Sequence, residues 1–156
     1  MHQIIIFNFL LRKFLYKIIL LCLQPNTMPP AKTVVLIDDD HDDHEIFSIA
    51  LQQSAPSVKC FYFDSGKEAL NKFLNDEKFI PDYIFLDLNM PGMSGMQFLE
   101  TIKKQEPISK IPIIVYTTSI MPREKERVLQ LGASDFFIKP TSHLELIEML
   151  KKFFKE

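Results

Sequence analysis

The sequence predicts an α/β fold, an open parallel sheet of five strands covered on both faces by five helices. Three observations point to it. Five short apolar runs, each of strand length, alternate over residues 33–154 with stretches of helical periodicity, the pattern of repeated βα units. The run Tyr83-Ile84-Phe85-Leu86 is continuously apolar and ends on Asp87, as a strand buried on both faces does where it emerges at the mouth of a sheet. All four glycines, Gly66, Gly92, Gly95 and Gly132, fall at element junctions and none inside a strand. The crossovers joining such strands are right-handed, because strands twist one way.

Each element has its own signal. Val34-Val35-Leu36-Ile37 reads as the first strand, ended by Asp38-Asp39-Asp40. A helix over 41–53 follows, with Ile46, Ile49, Ala50 and Leu51 as its apolar stripe and the preceding acids at its positive end. The β-rich run 58–63 is the second strand. Asp64-Ser65-Gly66 opens a helix whose apolar face is Ala69, Leu70, Phe73 and Leu74. After the third strand, 83–86, a helix over 95–104 runs through Met96, Leu99 and Ile102. The fourth strand is 111–116, with Pro112 near its start. The charged stretch 122–131 is a helix, and Gly132 stands where a glycine ends one. Phe136-Phe137-Ile138 is the fifth strand. The last helix, 141–154, carries Leu144, Ile147, Leu150 and Phe153 at three- and four-residue steps.

The chain of 156 residues is long enough for one domain with a substantial core. Its net charge of −2 provides no basic surface of the kind nucleic acid requires, so no direct nucleic-acid partner is expected. Cys22 and Cys60, without a CxxC, indicate neither a disulfide framework nor a zinc site and fit a reducing, cytoplasmic compartment. Residues 1–27 differ from the rest. Their apolar stretches are broken by Arg12, Lys13 and Lys17, each costing about 2.5–3.5 kcal/mol at a bilayer centre. A secretory leader would carry its charges before its apolar core. Three readings stand: a basic amphipathic helix lying on a membrane or partner, a poor single-pass anchor, or an upstream stretch translated from an overlong start with Met28 the true beginning. Residues 1–27 are taken as an extension outside a domain at 28–156, with membrane contact expected only if they are a genuine part of the protein.

Parallel strands share a direction, so their C-terminal ends share one edge. Asp38-Asp39-Asp40, Asp87, Thr117-Thr118-Ser119 and Lys139-Pro140 all fall there. In open α/β sheets that edge is where ligands bind. Clustered carboxylates repel one another and require a cation, and oxygen ligands of this kind suit Mg²⁺. An Asp carboxylate beside such an ion is equipped to attack phosphorus. Lys139 supplies a point charge for a phosphoryl oxygen, and the Thr117 hydroxyl a hydrogen bond. Taken singly, each piece has a plainer explanation: a solvated helix start, a turn former, a loop cap, a strand exit. Their joint placement at four strand ends is what carries the functional reading.

On these residues the chain resembles the receiver domains of two-component response regulators, in particular the stand-alone chemotaxis type. The matching motifs are Val35-Leu36-Ile37-Asp38-Asp39-Asp40, Phe85-Leu86-Asp87-Leu88-Asn89-Met90-Pro91-Gly92-Met93-Ser94-Gly95, Ile113-Ile114-Val115-Tyr116-Thr117-Thr118, and Gly132-Ala133-Ser134-Asp135-Phe136-Phe137-Ile138-Lys139-Pro140. The 30 positions from Asp87 to Thr117 and the 22 from Thr117 to Lys139 fit the family. The resemblance implies a flavodoxin-like sheet in the order 2-1-3-4-5, with Asp87 as phosphoacceptor. It implies Mg²⁺ held by Asp38, Asp39, Asp87 and the Asn89 backbone carbonyl, Asp39 directly and Asp38 partly through water. Thr117 becomes the switch hydroxyl, Phe136 the switch aromatic that rotates inward, and Lys139 the phosphoryl contact, with a cis bond to Pro140. Asn89 and Ser119 are where the family tunes dephosphorylation. Phe136 stands where many relatives carry Tyr, and Thr118 where Ala is common. His41 and His44, three residues apart, are expected to be solvent-facing residues of a first helical turn, the alternative being a second metal site.

The implied partners are a histidine kinase or a histidine phosphotransfer protein, and a downstream protein met through the fourth strand, the 122–131 helix and the fifth strand. No output domain follows in this sequence, so the expected output is partner binding or onward transfer of the phosphoryl group. The domain would catalyse its own phosphorylation and dephosphorylation without turning over a separate substrate. A role as phosphate sink or as a phosphorylation-independent interaction module is the alternative. An aspartyl phosphatase would want an acid two residues beyond Asp87, where Asn89 stands, and a flavin or nucleotide module would want a Gly- or Ser/Thr-rich loop where Asp38–Asp43 runs.

Overall fold

A computed structural model of the protein describes residues 31–155, so the readings of residues 1–27 lie outside the described residues. In chain order the elements are β1 (Thr33–Ile37), α1 (His41–Ser54), β2 (Lys59–Phe63), α2 (Gly66–Asn75), β3 (Tyr83–Leu86), α3 (Gly95–Ile102), a 3₁₀ turn (Ile108–Lys110), β4 (Ile113–Thr117), α4 (Pro122–Gln130), β5 (Asp135–Ile138) and α5 (His143–Phe154). The strands are all parallel in the order β2-β1-β3-β4-β5, as the sequence predicts.

Alternation along the strands divides the core in two. Val35, Ile37, Ile84, Leu86, Ile113, Val115 and Phe136 face α2, α3 and α4, where Ala69, Phe73, Phe98, Leu99 and Val128 meet them. Val34, Leu36, Phe85, Ile114 and Tyr116 face α1 and α5, against Phe47, Ala50, Leu146, Ile147 and Leu150. Phe47, Phe85 and Tyr116 interlock edge to face at 5.2–6.2 Å between centroids. Each such buried aromatic removes enough apolar surface from water to stabilise the fold by about 1.5–3 kcal/mol. Helix starts are supplied by short polar caps. Asp40, Ser65, Ser94 and Ser142 each accept from the first turn of the helix they precede, and Ser94 with Gln97 closes a capping box. Among the described residues no helix is long and apolar enough to cross a membrane.

The structure corrects several expectations. The buried face of α1 is His44, Phe47, Ala50 and Leu51, while Ile46 and Ile49 are exposed. Residues three and four apart share a helix face, and the Phe47 row, not the Ile46–Ile49 row, meets the sheet. Leu74 and Leu144 are exposed for the same reason, with Leu146 buried in α5 instead of Leu144. His44 is not solvent-facing: its ring packs 5.2 Å from that of Tyr62, leaving the residue 9% exposed. Thr117 is the last residue of β4 rather than the first after it. The residues before Ile113 form a 3₁₀ turn, and α3 ends at Ile102. The cis peptide bond among the described residues is Glu106–Pro107, so Lys139–Pro140 is trans. The energy separating the two isomers of an X–Pro bond is small, and local sequence does not decide it.

What positions the site is the register. Phe63, Ile37, Leu86, Val115 and Phe136 form one row across all five strands. The next residues of β1 and β3 are Asp38 and Asp87, both on the same edge.

Candidate functional site

The two acids are held by backbone bonds that extend the ladder one step past the strands. Asp38 N donates to Phe63 O at 3.0 Å and Asp87 N to Ile37 O at 2.9 Å. Both side chains are buried, Asp38 to 1% exposure, whereas Asp39 is exposed. Carboxylate oxygens of Asp38, Asp39 and Asp87 lie within 4.8 Å of one another. Asn89 N donates to Asp87 Oδ2 at 2.8 Å, which fixes that carboxylate and turns the loop after β3 around it.

The floor of this pocket is backbone, and Gly95 makes the fit. A Cβ on Gly95 would lie 2.2 Å from the Asp87 carbonyl oxygen and 2.8 Å from the Leu88 Cα. Gly95 N donates to Leu88 O at 3.1 Å, so the start of α3 packs directly on the segment that carries Asp87. The sequence places Gly95 at a junction, without indicating this close approach.

From the opposite side comes Lys139. Its N–H donates to Thr117 O at 2.8 Å, anchoring the exit of β5 to the end of β4. Its Nζ lies 2.7 Å from Asp38 Oδ2, 2.6 Å from Asp43 Oδ2 and 3.8 Å from Asp87 Oδ1, over the Tyr116 ring. Asp43 is the residue that sequence reasoning missed. It lies in the acidic run that marks the site but 96 positions from Lys139, and nothing local indicates the pairing. Burial alone would lower the Lys139 pKa, but the bonds to Asp38 and Asp43 more than reverse this and hold it above the ordinary lysine range. Burial pushes the Asp38 carboxyl up, and Lys139 pulls it only part of the way back. Asp38 Oδ2 has no hydrogen bond of good geometry beyond that ion pair.

One lysine therefore faces Asp38, Asp43 and Asp87, and Asp39 adds a fourth carboxylate to the pocket. Such an excess of oxygen donors fits a hard dication of the Mg²⁺ type. Thr117 is fully buried, and its Oγ1 accepts from Ser119 N at 3.3 Å, leaving its own proton for another acceptor. Ser119 Oγ in turn donates to Glu124 of α4. Phe136 is buried beside Val115 and Val128, with Lys125 Nζ 5.8 Å over its ring. The structure thus gathers Asp38, Asp39, Asp87 and Lys139 into one pocket and sets Thr117 at the end of β4 on the same edge, with Phe136 one row beneath.

The doubly wound sheet thus carries an acidic pocket and an opposing lysine at its C-terminal edge, the edge where open α/β sheets bind ligands. The chain belongs to the response regulator receiver domain family, whose family model matches residues 34–151. It is 32% identical over 120 residues to the phosphate regulon transcriptional regulatory protein PhoB of Pseudomonas aeruginosa, covering 77% of this chain. The chain spans about half, 50%, of that relative's length. Among solved structures it is similar to the phosphorylated cyanobacterial phytochrome response regulator RcpA, at 25% identity and a TM-score of 0.71 over 78% of this chain and 90% of that one. It is similar also to the chemotaxis protein CheY4 of Vibrio cholerae, at 27% identity and a TM-score of 0.65 over 78% of this chain and 97% of that one.

Proposed function

We propose that this receiver domain accepts a phosphoryl group on Asp87 from a phosphohistidine of a histidine kinase or histidine phosphotransfer protein. The observation that carries the proposal is the pocket itself, three carboxylates within 4.8 Å with an amine 3.8 Å from Asp87. The Asp87 oxygen forms the new P–O bond as the P–N bond to imidazole breaks, and the acyl phosphate remains on the protein. Asp38, Asp39, Asp87 and the Asn89 carbonyl oxygen would hold Mg²⁺, which would offset the charge of the carboxylates and the incoming phosphate. Lys139 neutralises a phosphoryl oxygen, and Thr117 donates its proton to another.

The signal follows from differential contact. Phosphorylation adds about −1.5 to −2 charge at Asp87, and Thr117 and Lys139 respond to that charge only in the modified state, shifting a pre-existing equilibrium. Displacement of Thr117 opens room for Phe136, whose ring buries no hydroxyl. The outward readout lies along α4 and β5, where Ile120, Met121 and Ile138 are exposed around a groove over Phe136 and Phe137. The partner is a downstream protein, the compartment the cytoplasm, and the domain spans 28–156.

Two tests follow. Asp39→Ala is expected to weaken Mg²⁺ binding, measured by titration, and to suppress Mg²⁺-dependent labelling by acetyl phosphate. Unchanged Mg²⁺ affinity would move the metal elsewhere. A chain beginning at Met28 is expected to melt at the temperature of the full chain, and a large drop would make residues 1–27 part of the fold.

A further inference from the structure

Beside the acidic pocket, at the exit of β2, stands a second group of donors with different chemistry. His41 opens α1, and His44 follows three residues on, so the two rings share one face of the first turn. Asp64, the residue after β2, faces both. His41 Nδ1 and His44 Nδ1 each lie 3.7 Å from Asp64 Oδ1, and the three donor atoms lie within 4.8 Å of one another. A hydrogen bond from nitrogen to oxygen closes to about 2.7–3.2 Å, so the carboxylate bonds neither ring. Two donors around a tetrahedral dication, at bond lengths of about 2.0–2.1 Å, stand about 3.3 Å apart. The two nitrogen-to-oxygen distances of 3.7 Å are within a few tenths of an ångström of that spacing, and the two histidine donors lie within 4.8 Å of each other.

Packing holds His44 in place. It is 9% exposed, with its ring between the edge of His41 and the Tyr62 ring, so its outward nitrogen is preorganised. Its Nδ1 is the nitrogen directed at Asp64. His41 and Asp64 are largely exposed, so an ion enters directly from solvent and water completes its coordination.

We infer that His41, His44 and Asp64 form a second metal site, for a borderline dication of the Zn²⁺ type. Two imidazole nitrogens and one carboxylate oxygen favour such ions over Mg²⁺, which prefers all-oxygen surroundings like those of Asp38, Asp39 and Asp87. The two sites sort metals by ligand type. An ion at the second would tie the first turn of α1 to the β2–α2 connection, next to the loop carrying the acid pair. The inference does not rest on phosphorylation of Asp87.

The test is calorimetric titration of Zn²⁺ into the full chain with excess Mg²⁺ occupying the acidic pocket. One Zn²⁺ per chain is expected, with affinity falling at least about tenfold in both His41→Ala and Asp64→Asn, since even loss of a supporting partner costs 10–100-fold. Both positions are exposed, so the variants keep the fold. In wild type the ¹⁵N resonances of the His41 and His44 rings are expected to move on adding Zn²⁺, while those of His143 stay. No Zn²⁺ binding, or unchanged affinity in the two variants, would overturn the assignment.

Discussion

Gly95→Ala is expected to lower stability by about 3 kcal/mol, at the upper end of what overpacking costs, and to abolish phosphoryl acceptance along with it. A Cβ at 2.2 Å from the Asp87 carbonyl oxygen meets backbone on the acceptor segment, not the flexible end of a side chain. Relief requires α3 to retreat from β3, which breaks the bond from Gly95 N to Leu88 O. It also shifts the backbone whose ladder bond to Ile37 holds Asp87 in place. For a domain of this size the loss corresponds to a fall in Tm of about 10 °C. The substitution is damaging although alanine is otherwise the better helix former. A wild-type Tm for this variant would mean that α3 does not pack on Asp87 as described.

The second large effect concerns Lys139. Lys139→Met keeps the stem and removes the charge, leaving Asp38 and Asp87 buried together without their cation. Removing one partner of a buried ion pair costs about 3–5 kcal/mol. The lower end is expected here, since Asp43 is partly solvated and Asp38 escapes part of the penalty by taking up a proton. In a chelating buffer the variant is therefore expected to melt about 10 °C below wild type. Mg²⁺ is expected to restore more of that loss in the variant than it adds to wild type, because binding to the folded state alone raises its stability. An unchanged Tm in chelator would show that the contacts at 2.6 and 2.7 Å contribute nothing. The ordinary state of Lys139 also follows from the direction of its shift. Its pKa is raised in the folded protein, so its contribution is complete below the usual lysine value and is lost only as pH rises through the folded one.

The sheet and most of the pocket were legible in the sequence because they rest on short-range patterns. An apolar run ending in Asp specifies both a strand and the edge at which its carboxylate emerges, and parallel pairing brings Asp38 and Asp87 into adjacent positions. The structure shows the parallel sheet read in this way, and its order β2-β1-β3-β4-β5 is the one the family resemblance implies. What stayed hidden depends on distances between elements. Asp43 pairs with Lys139 across 96 positions, and the 2.2 Å approach at Gly95 appears only when α3 is set on β3. On α1, Ile46 and Ile49 are more apolar than His44, so the pattern favours one flank of the helix while the sheet receives the His44–Phe47 face. The same ambiguity left Leu144 in the predicted stripe although it is 74% exposed. Hydrophobicity alone does not orient a helix when both flanks of the stripe are apolar, and tertiary packing decides between them.

The central claim is that Asp87 stores a phosphoryl group. The most direct measurement is the intact mass of the full chain after incubation with acetyl phosphate and Mg²⁺, for wild type and Asp87→Asn side by side. One added phosphoryl group per chain in wild type and none in the variant is the predicted result. An Asp87→Asn chain that takes up phosphate as wild type does would contradict it.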